Sequence, residues 1–505
     1  MKRNYTSPLT ALIAGILLLT ACSTNQEDKV LLPVKDDPTI SFSILFKTGA
    51  QNDPAGKEGL GYLTASILAE GATQNNSYDE ILEALYPMAA SYGMSYDKEM
   101  TVIYGRTHKD NLDAYYQLFM DAILRPAFDE KDFNRLKSRT INYLENNLRY
   151  SSDEELGKAA LYDFIYNGTQ YGHLNAGTVQ SLNSITLDDV KDYYKTHFSR
   201  NNYLIGLGGG YDDALVDKVE GDLQTLPAAE VSMPPVPEPE TIEGLNVLLV
   251  EKDCDATAIS FGFPIEVLRG DEDFFALALF NSWFGEHRNS ASHLFQVIRE
   301  KRGLNYGDYS YIEIFPNGGM RQMPAPNNAR RQQLFEVWIR PVQHVHRHFA
   351  LRAAMRELKQ VVDNGMTMED FELTQKFLQK YALHYATTTM ARVGYALDSR
   401  FYGIQGDYIE LFRRKIGELT HEQVNAAIKK HLQYENIKIA MVTQGAEEFK
   451  QQLVEDVPSP ISYETPKPEE VTEEDKAIST FPLPIQEESV RIIPVEDMFE
   501  SPDYM

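Results

Sequence analysis

The stretch TLDDVKDYYKTHFSRNNYLIGL, residues 186–207, returns in altered form as THEQVNAAIKKHLQYENIKIAM, residues 420–441. The two align without a gap. Thr186, Val190, Lys195, His197, Asn202 and Ile205 meet Thr420, Val424, Lys429, His431, Asn436 and Ile439, six identities at one offset. In each copy the Thr can cap a helix, with Asp189 or Gln423 three residues on to complete a capping box. The helix should end near His197 or His431, and an apolar strand should follow, Tyr203 to Leu207 or Ile437 to Val442. A shared helix–strand unit at one offset implies duplicated domains, each mixing helices with a sheet. Working outward, Ile40-Ser41-Phe42 opens an alternating strand in one half and Ile259-Ser260-Phe261 opens one in the other. An amphipathic helix should follow each. The fold class is therefore α+β: two homologous domains, each a mostly antiparallel sheet with helices packed on one face.

Proline punctuates this plan. Pro234, Pro235, Pro237 and Pro239 make residues 227–243 a stiff interdomain linker. The domains are expected at 36–226 and 244–456, with a short N-terminal linker at 22–35. Residues 457–505, rich in Pro and acidic side chains, read as an extended tail, packed along the body or mobile. A formal net charge of −26 with no concentrated basic patch excludes a general nucleic-acid partner. At the start, Lys2 and Arg3 precede an apolar run from Leu9 to Leu19, too short for a transmembrane span and suited to a signal peptide over 1–21. Leu19-Thr20-Ala21-Cys22 resembles the bacterial lipobox, which implies a diacylated Cys22. Ser23, in place of Asp, resembles the sorting signal for the outer membrane. The expectation is a lipid-anchored chain of the cell envelope facing the periplasm, touching membrane through its anchor alone. Cys254 is the only other cysteine, so with Cys22 lipidated no intrachain disulfide forms. Its Lys-Asp-Cys-Asp setting carries no signature of a nucleophile.

Several segments resemble the insulinase (pitrilysin-like) metallopeptidase family. Gly59-Leu60-Gly61-Tyr62-Leu63-Thr64-Ala65-Ser66 is similar to its Gly-Leu-Ala-His-x-x-Glu-His helix, with Gly71-Ala72-Thr73 at the place of its Gly-Thr. Lys98 to Val102 resembles its Arg-Glu-x-Thr-x strand, and Tyr171-Gly172-His173 also matches. Most specific is Leu294-Phe295-Gln296-Val297-Ile298-Arg299-Glu300-Lys301-Arg302-Gly303-Leu304-Asn305-Tyr306, which follows the family's Leu-Phe-x-x-Leu-Arg-Glu-x-Arg-Gly-Leu-x-Tyr almost residue for residue. In that family two His four residues apart hold zinc, the Glu between them activates water, and a downstream Glu completes the coordination. Here Tyr62, Ala65 and Ser66 stand at those helix positions, and the downstream Glu falls near Tyr143. Glu145 is the nearest carboxylate, but two residues along a helix place it about 200° round. These side chains cannot supply two imidazoles and a carboxylate. The resemblance thus implies a ligand-free chain with no intact catalytic residue and no metal of its own, zinc being expected in a partner subunit. By the same resemblance Arg299 and Tyr306 contact the substrate carbonyl and stabilise an oxyanion.

His344, His346 and His348 offer a further spacing for a metal, though no carboxylate is near in sequence. His173, His197 and His431 fall at helix ends or loops, where capping and packing explain them. Three functions follow. The first is a non-zinc subunit that binds peptide and completes the chamber of a zinc-bearing paralogue, as a heterodimer. The second is a stand-alone peptide-binding or scaffold lipoprotein, and the third an active zinc peptidase with unrecognised ligands.

Overall fold

The computed structural model describes residues 28–315 and 325–505; the signal segment 1–21 and the lipidation candidate Cys22 lie outside the described residues. The repeated unit folds as its sequence predicts. Thr186 Oγ accepts from the Asp189 backbone N–H while Asp189 Oδ2 accepts from the Thr186 N–H, and Thr420 with Gln423 makes the same reciprocal pair. The helices they open run Leu187–His197 and His421–His431.

The first sheet contains β1 (Lys29–Pro33), β2 (Thr39–Phe46), β3 (Ser91–Tyr96), β4 (Thr101–His108) and β5 (Tyr203–Gly209), in the order β1-β5-β2-β4-β3. β1 runs parallel to β5 and every other pair is antiparallel. The second contains β6 (Leu245–Glu251), β7 (Thr257–Ile265), β8 (Asp308–Tyr311), β9 (Gln333–Val342), β10 (Ile437–Thr443) and β11 (Ile485–Pro494), in the order β11-β6-β10-β7-β9-β8. Adding five to each label of the first sheet reproduces the second, with β11 as an extra parallel strand beside β6. The duplication is therefore topological as well as sequential.

Two segments differ from expectation. The N-terminal linker contains β1, a five-residue edge strand that pairs on one flank only. The C-terminal segment is folded: a helix at Glu469–Ser479 leads into β11, and Met498 and Phe499 then enter the core of the first half. Arg149 Nε donates to the Met498 carbonyl (2.9 Å), and the Val179 and Gln180 N–H groups donate to the carbonyls of Phe499 and Glu500. Residues 227–243 carry no helix or strand.

The halves are joined by exchange. Alternation sends Phe42, Ile44 and Phe46 toward helices of their own half, while Leu45, Val102 and Leu204 face the opposite way. That second face is covered by the helix Thr389–Phe401 of the other half, through Val393 and Leu397. Reciprocally, the helix Asp153–Tyr166 of the first half lies across β7 and β10, where Leu248, Val250, Ala440 and Val442 join the first half's core. It is apolar on more than one side, with Leu156, Ala160, Leu161 and Ile165 buried, as a helix between two layers must be. Buried ion pairs cross the same boundary. Arg330 grips Asp97 through Nε and Nη2, and Arg331 Nε meets Glu99 at 2.6 Å.

Glycines set how closely an exchanged helix approaches. A Cβ on Gly208 would lie 2.6 Å from Thr389 Cγ2 and 2.7 Å from Val393 Cγ2, both on stiff β-branched side chains. Gly208→Ala should therefore destabilise the chain by about 1–3 kcal/mol in urea denaturation. Gly221→Ala, on an exposed helix position with open space around it, should stabilise by about 1 kcal/mol. Equal effects of the two substitutions would contradict the close-approach reading.

Candidate functional site

The degenerate zinc motif forms the start of the helix Leu60–Glu70. Gly59 enters it at φ 92°, and the buried Asp53 carboxylate accepts from the N–H groups of Gly59 (2.7 Å) and Gly61 (2.8 Å). A carboxylate at a helix N-terminus is favoured by the exposed N–H groups and the macrodipole. Tyr96 and Tyr193 press their hydroxyls toward Gly61, where an added Cβ would sit 2.2 and 2.6 Å from them.

This helix forms part of the wall of a chamber of about 460 Å³ between the halves. Tyr62 and Tyr143 both line it, with Tyr96, Tyr162, Tyr166 and Tyr171. Tyr143 begins a π-helical turn, Tyr143–Leu148, and the Phe295–Glu300 segment is π-helical too, whereas Leu60–Glu70 is an ordinary α-helix. The residues at the zinc positions do not fit a metal. The Tyr62 ring meets Tyr96 edge to face, Ser66 Oγ donates back to the Tyr62 carbonyl at 2.8 Å, and Ala65 is fully buried. Among the described residues no group of three His, Cys, Asp or Glu side chains could hold an ion. Tyr62 and Tyr143 are both pushed above the usual phenol range, chiefly by burial, so neither offers a phenolate near neutrality.

Charged residues line this chamber too: Asp97, Asp163 and Arg330, which no motif in the sequence marks, and Lys98, the first residue of the strand that resembles the family's Arg-Glu-x-Thr-x. Asp97, Lys98 and Glu99 are three consecutive charges with exposures of 2, 5 and 0%, which only partners distant in sequence make tolerable. The Lys98 ammonium donates to the His173 carbonyl, and its pKa is depressed by burial and then by the Arg330 charge. Burial pushes the Asp163 carboxyl up, and the Tyr504 hydroxyl from the C-terminal segment donates to it. His173 lies 3.4 Å from Asp53, with its pKa lowered mainly by burial.

Arg299 and Tyr306 lie elsewhere. Neither lines the chamber. Arg299 pairs with its neighbour Glu300 and lies over the Phe295 ring at 5.1 Å, while Tyr306 is 78% exposed. The second-half motif therefore adds neither Arg299 nor Tyr306 to the lining of this chamber.

The remaining candidates are structural. His344 uses both ring nitrogens, one with Thr257 Oγ1 (2.8 Å) and one with the Cys254 carbonyl (2.7 Å). The His348 ring is buried against Phe449, and burial with the nearby Arg352 pushes its pKa down to about 4. The i, i+4 pair therefore cannot chelate as it stands. The Cys254 thiol donates to the Ala256 carbonyl, and burial pushes it up to about 11, away from nucleophilic use.

Residues 29–177 match the model of the insulinase family, peptidase family M16, and residues 184–378 match that of the peptidase M16 inactive domain. The chain belongs to peptidase family M16. Among relatives in the family, the non-peptidase homolog YmxG of Helicobacter pylori is 21% identical over 454 residues, covering 86% of this chain and 98% of that one. The uncharacterized zinc protease YmxG of Bacillus subtilis is 22% identical over 317 residues, 62% of this chain and 75% of its own. Among solved structures, a peptidase M16 inactive domain from Pseudomonas fluorescens superposes with a TM-score of 0.72 at 22% identity, covering 83% of this chain and 97% of that one. A protease from Helicobacter pylori gives 0.68 at 15% identity, with 82 and 96% covered. The two-domain M16 fold is shared throughout, and this chain is an M16 homologue of the degenerate kind.

Elemental analysis of the purified chain should give far less than one zinc per molecule. One tightly held zinc, lost on substitution of first-half residues, would contradict the reading of Tyr62, Ala65, Ser66 and Tyr143.

Proposed function

We propose that this chain is the non-zinc subunit of a two-chain M16 peptidase, binding peptide and completing the active chamber of a zinc-bearing paralogue. The observation that carries this reading is an asymmetry of place. The helix that holds metal in the family has no ligand at Tyr62, Ala65 or Ser66, while the Leu294–Tyr306 signature is kept almost whole. Tyr306, 78% exposed, and Arg299 are not among the residues that line the chain's own chamber, and Tyr306 is open to a second molecule. An Arg with a Tyr donor aimed at a peptide carbonyl would stabilise the oxyanion formed at the partner's zinc. Loss of one such donor costs about 3 kcal/mol of transition-state stabilisation.

Arg299→Ala or Tyr306→Phe should thus lower peptide turnover by the reconstituted pair about a hundredfold or more. The fold should be kept, because the Arg299 side chain is partly exposed and pairs with its neighbour Glu300, and Tyr306 is exposed. Unchanged turnover in a stable, active complex would leave these two as surface residues. The second reading, a stand-alone peptide-binding lipoprotein, draws on the chamber of about 460 Å³, a volume typical of ligand sites. It would lead if no zinc-bearing paralogue co-purified.

Both readings place the chain at the outer membrane, facing the periplasm through a lipid on Cys22. Among the described residues no helix is long and apolar enough to cross a membrane. Cys22→Ala should abolish radiolabelled palmitate incorporation and leave unprocessed precursor. Retained labelling would place the anchor elsewhere.

A further inference from the structure

Exposure along the chamber falls from Tyr143, 45% exposed, to Tyr166 and Tyr171 at 1% each, so the cavity runs from an open mouth to a closed floor. A closed floor receives the end of a chain rather than its middle. The side chains there are not fully matched. Tyr166 Oη and Asp163 Oδ1 are buried without a hydrogen-bond partner, and so is Asn175 Oδ1. Each of these atoms calls for a hydrogen-bond partner from the chamber, a ligand group or a water.

The charges are unevenly satisfied. Arg330 is held by both oxygens of Asp97. The Lys158 ammonium sits 4.4 Å from the Trp338 ring centre and donates to the Phe315 carbonyl. Lys98 is different: its hydrogen bond goes to a neutral carbonyl, and among the described residues no carboxylate oxygen comes within 4.0 Å of it. Asp53, Asp97 and Asp163 attract it from farther off, while Arg330 opposes its charge and His173 lies beside it. Asp163 presents the complementary deficit, an acceptor oxygen with no donor. Burial depresses the charge of both groups, and a ligand offering one anion and one N–H would restore it.

We propose that the floor of this chamber recognises the free α-carboxylate end of a short peptide, with Lys98 as counter-ion and Asp163 Oδ1 accepting the N–H of the terminal residue. The proposal rests on the peptide-binding reading above and narrows it to one class of chain end. The tyrosines along the wall (Tyr62, Tyr96 and Tyr143 among them) supply apolar faces with polar edges suited to the preceding residues. The chamber would hold chain ends, such as fragments released by the partner's zinc, independently of the Arg299–Tyr306 surface.

The test is calorimetric titration of the full chain with Ala-Ala-Phe, its C-terminal amide and its N-acetylated form. The free acid and the N-acetylated acid should bind alike, and the amide about tenfold more weakly or worse. Lys98→Met should erase the preference for acid over amide, with circular dichroism and thermal melting checking its fold. Should that variant misfold, the three ligands on the unaltered chain still decide the matter. Acid and amide binding equally would overturn the carboxylate assignment while leaving peptide binding intact. Loss of binding on N-acetylation would reverse the polarity and also overturn it. No binding of any of the three would remove this chamber as a peptide site, and the Arg299–Tyr306 role would still be judged by turnover of the pair.

Discussion

The molecule depends on the exchange of two helices. Asp153–Tyr166 covers the outer face of the second sheet and Thr389–Phe401 that of the first, so neither half can bury its sheet alone. A sheet apolar on both faces requires cover on both, and here the second cover comes from the other domain. The approach is close at the first sheet, where Gly206 and Gly208 leave room for Val393, Leu397 and Thr389. Once the halves are fixed in this way, the Asp97–Arg330 and Glu99–Arg331 pairs can be buried at little geometric risk. Removing one partner of such a pair would strand a buried charge, at a cost of about 3–5 kcal/mol. The chamber is the space that this exchange leaves between the two domains.

The legible parts of the sequence were those whose signals are local. The capping boxes at Thr186 and Thr420 and the strands after His197 and His431 need nothing beyond neighbouring residues, and they gave the duplication and the fold class. β11 was hidden because an edge strand buries one flank only; Gln486, Glu487, Glu488 and Pro494 suit such a strand and equally suit a tail. The chamber floor was hidden for the opposite reason. Lys98 to Val102 could be placed on a strand by its likeness to the family, but the burial of Asp97, Lys98 and Glu99 could not, because Arg330 and Arg331 lie more than two hundred residues away. No periodicity or motif spacing carries that information. Tyr62, Ala65, Ser66 and Tyr143 could be identified only through the family's motif, and the structure adds that Tyr62 and Tyr143 share one chamber wall.

The two motif-bearing stretches of this chain differ in what they have kept. The helix Leu60–Glu70 has exchanged metal ligands for a phenol, a methyl and a hydroxyl that pack and hydrogen-bond within the fold. The Phe295–Glu300 turn instead keeps Arg299 at the surface, with Tyr306 more exposed still. Electrostatic help to a reaction requires only a donor held at the right place, whichever chain holds it. A chain without zinc can therefore contribute to hydrolysis if its Arg and Tyr face a neighbour's metal.

The most direct measurement compares hydrolysis of a fluorogenic peptide by this chain, by the zinc-bearing M16 chain proposed as its partner and by the mixed pair, at equal zinc content. The pair should be fast, the zinc-bearing chain alone slower by about a hundredfold or more, and this chain alone inert. A zinc-bearing chain that reached the full rate unaided would contradict a contribution in trans.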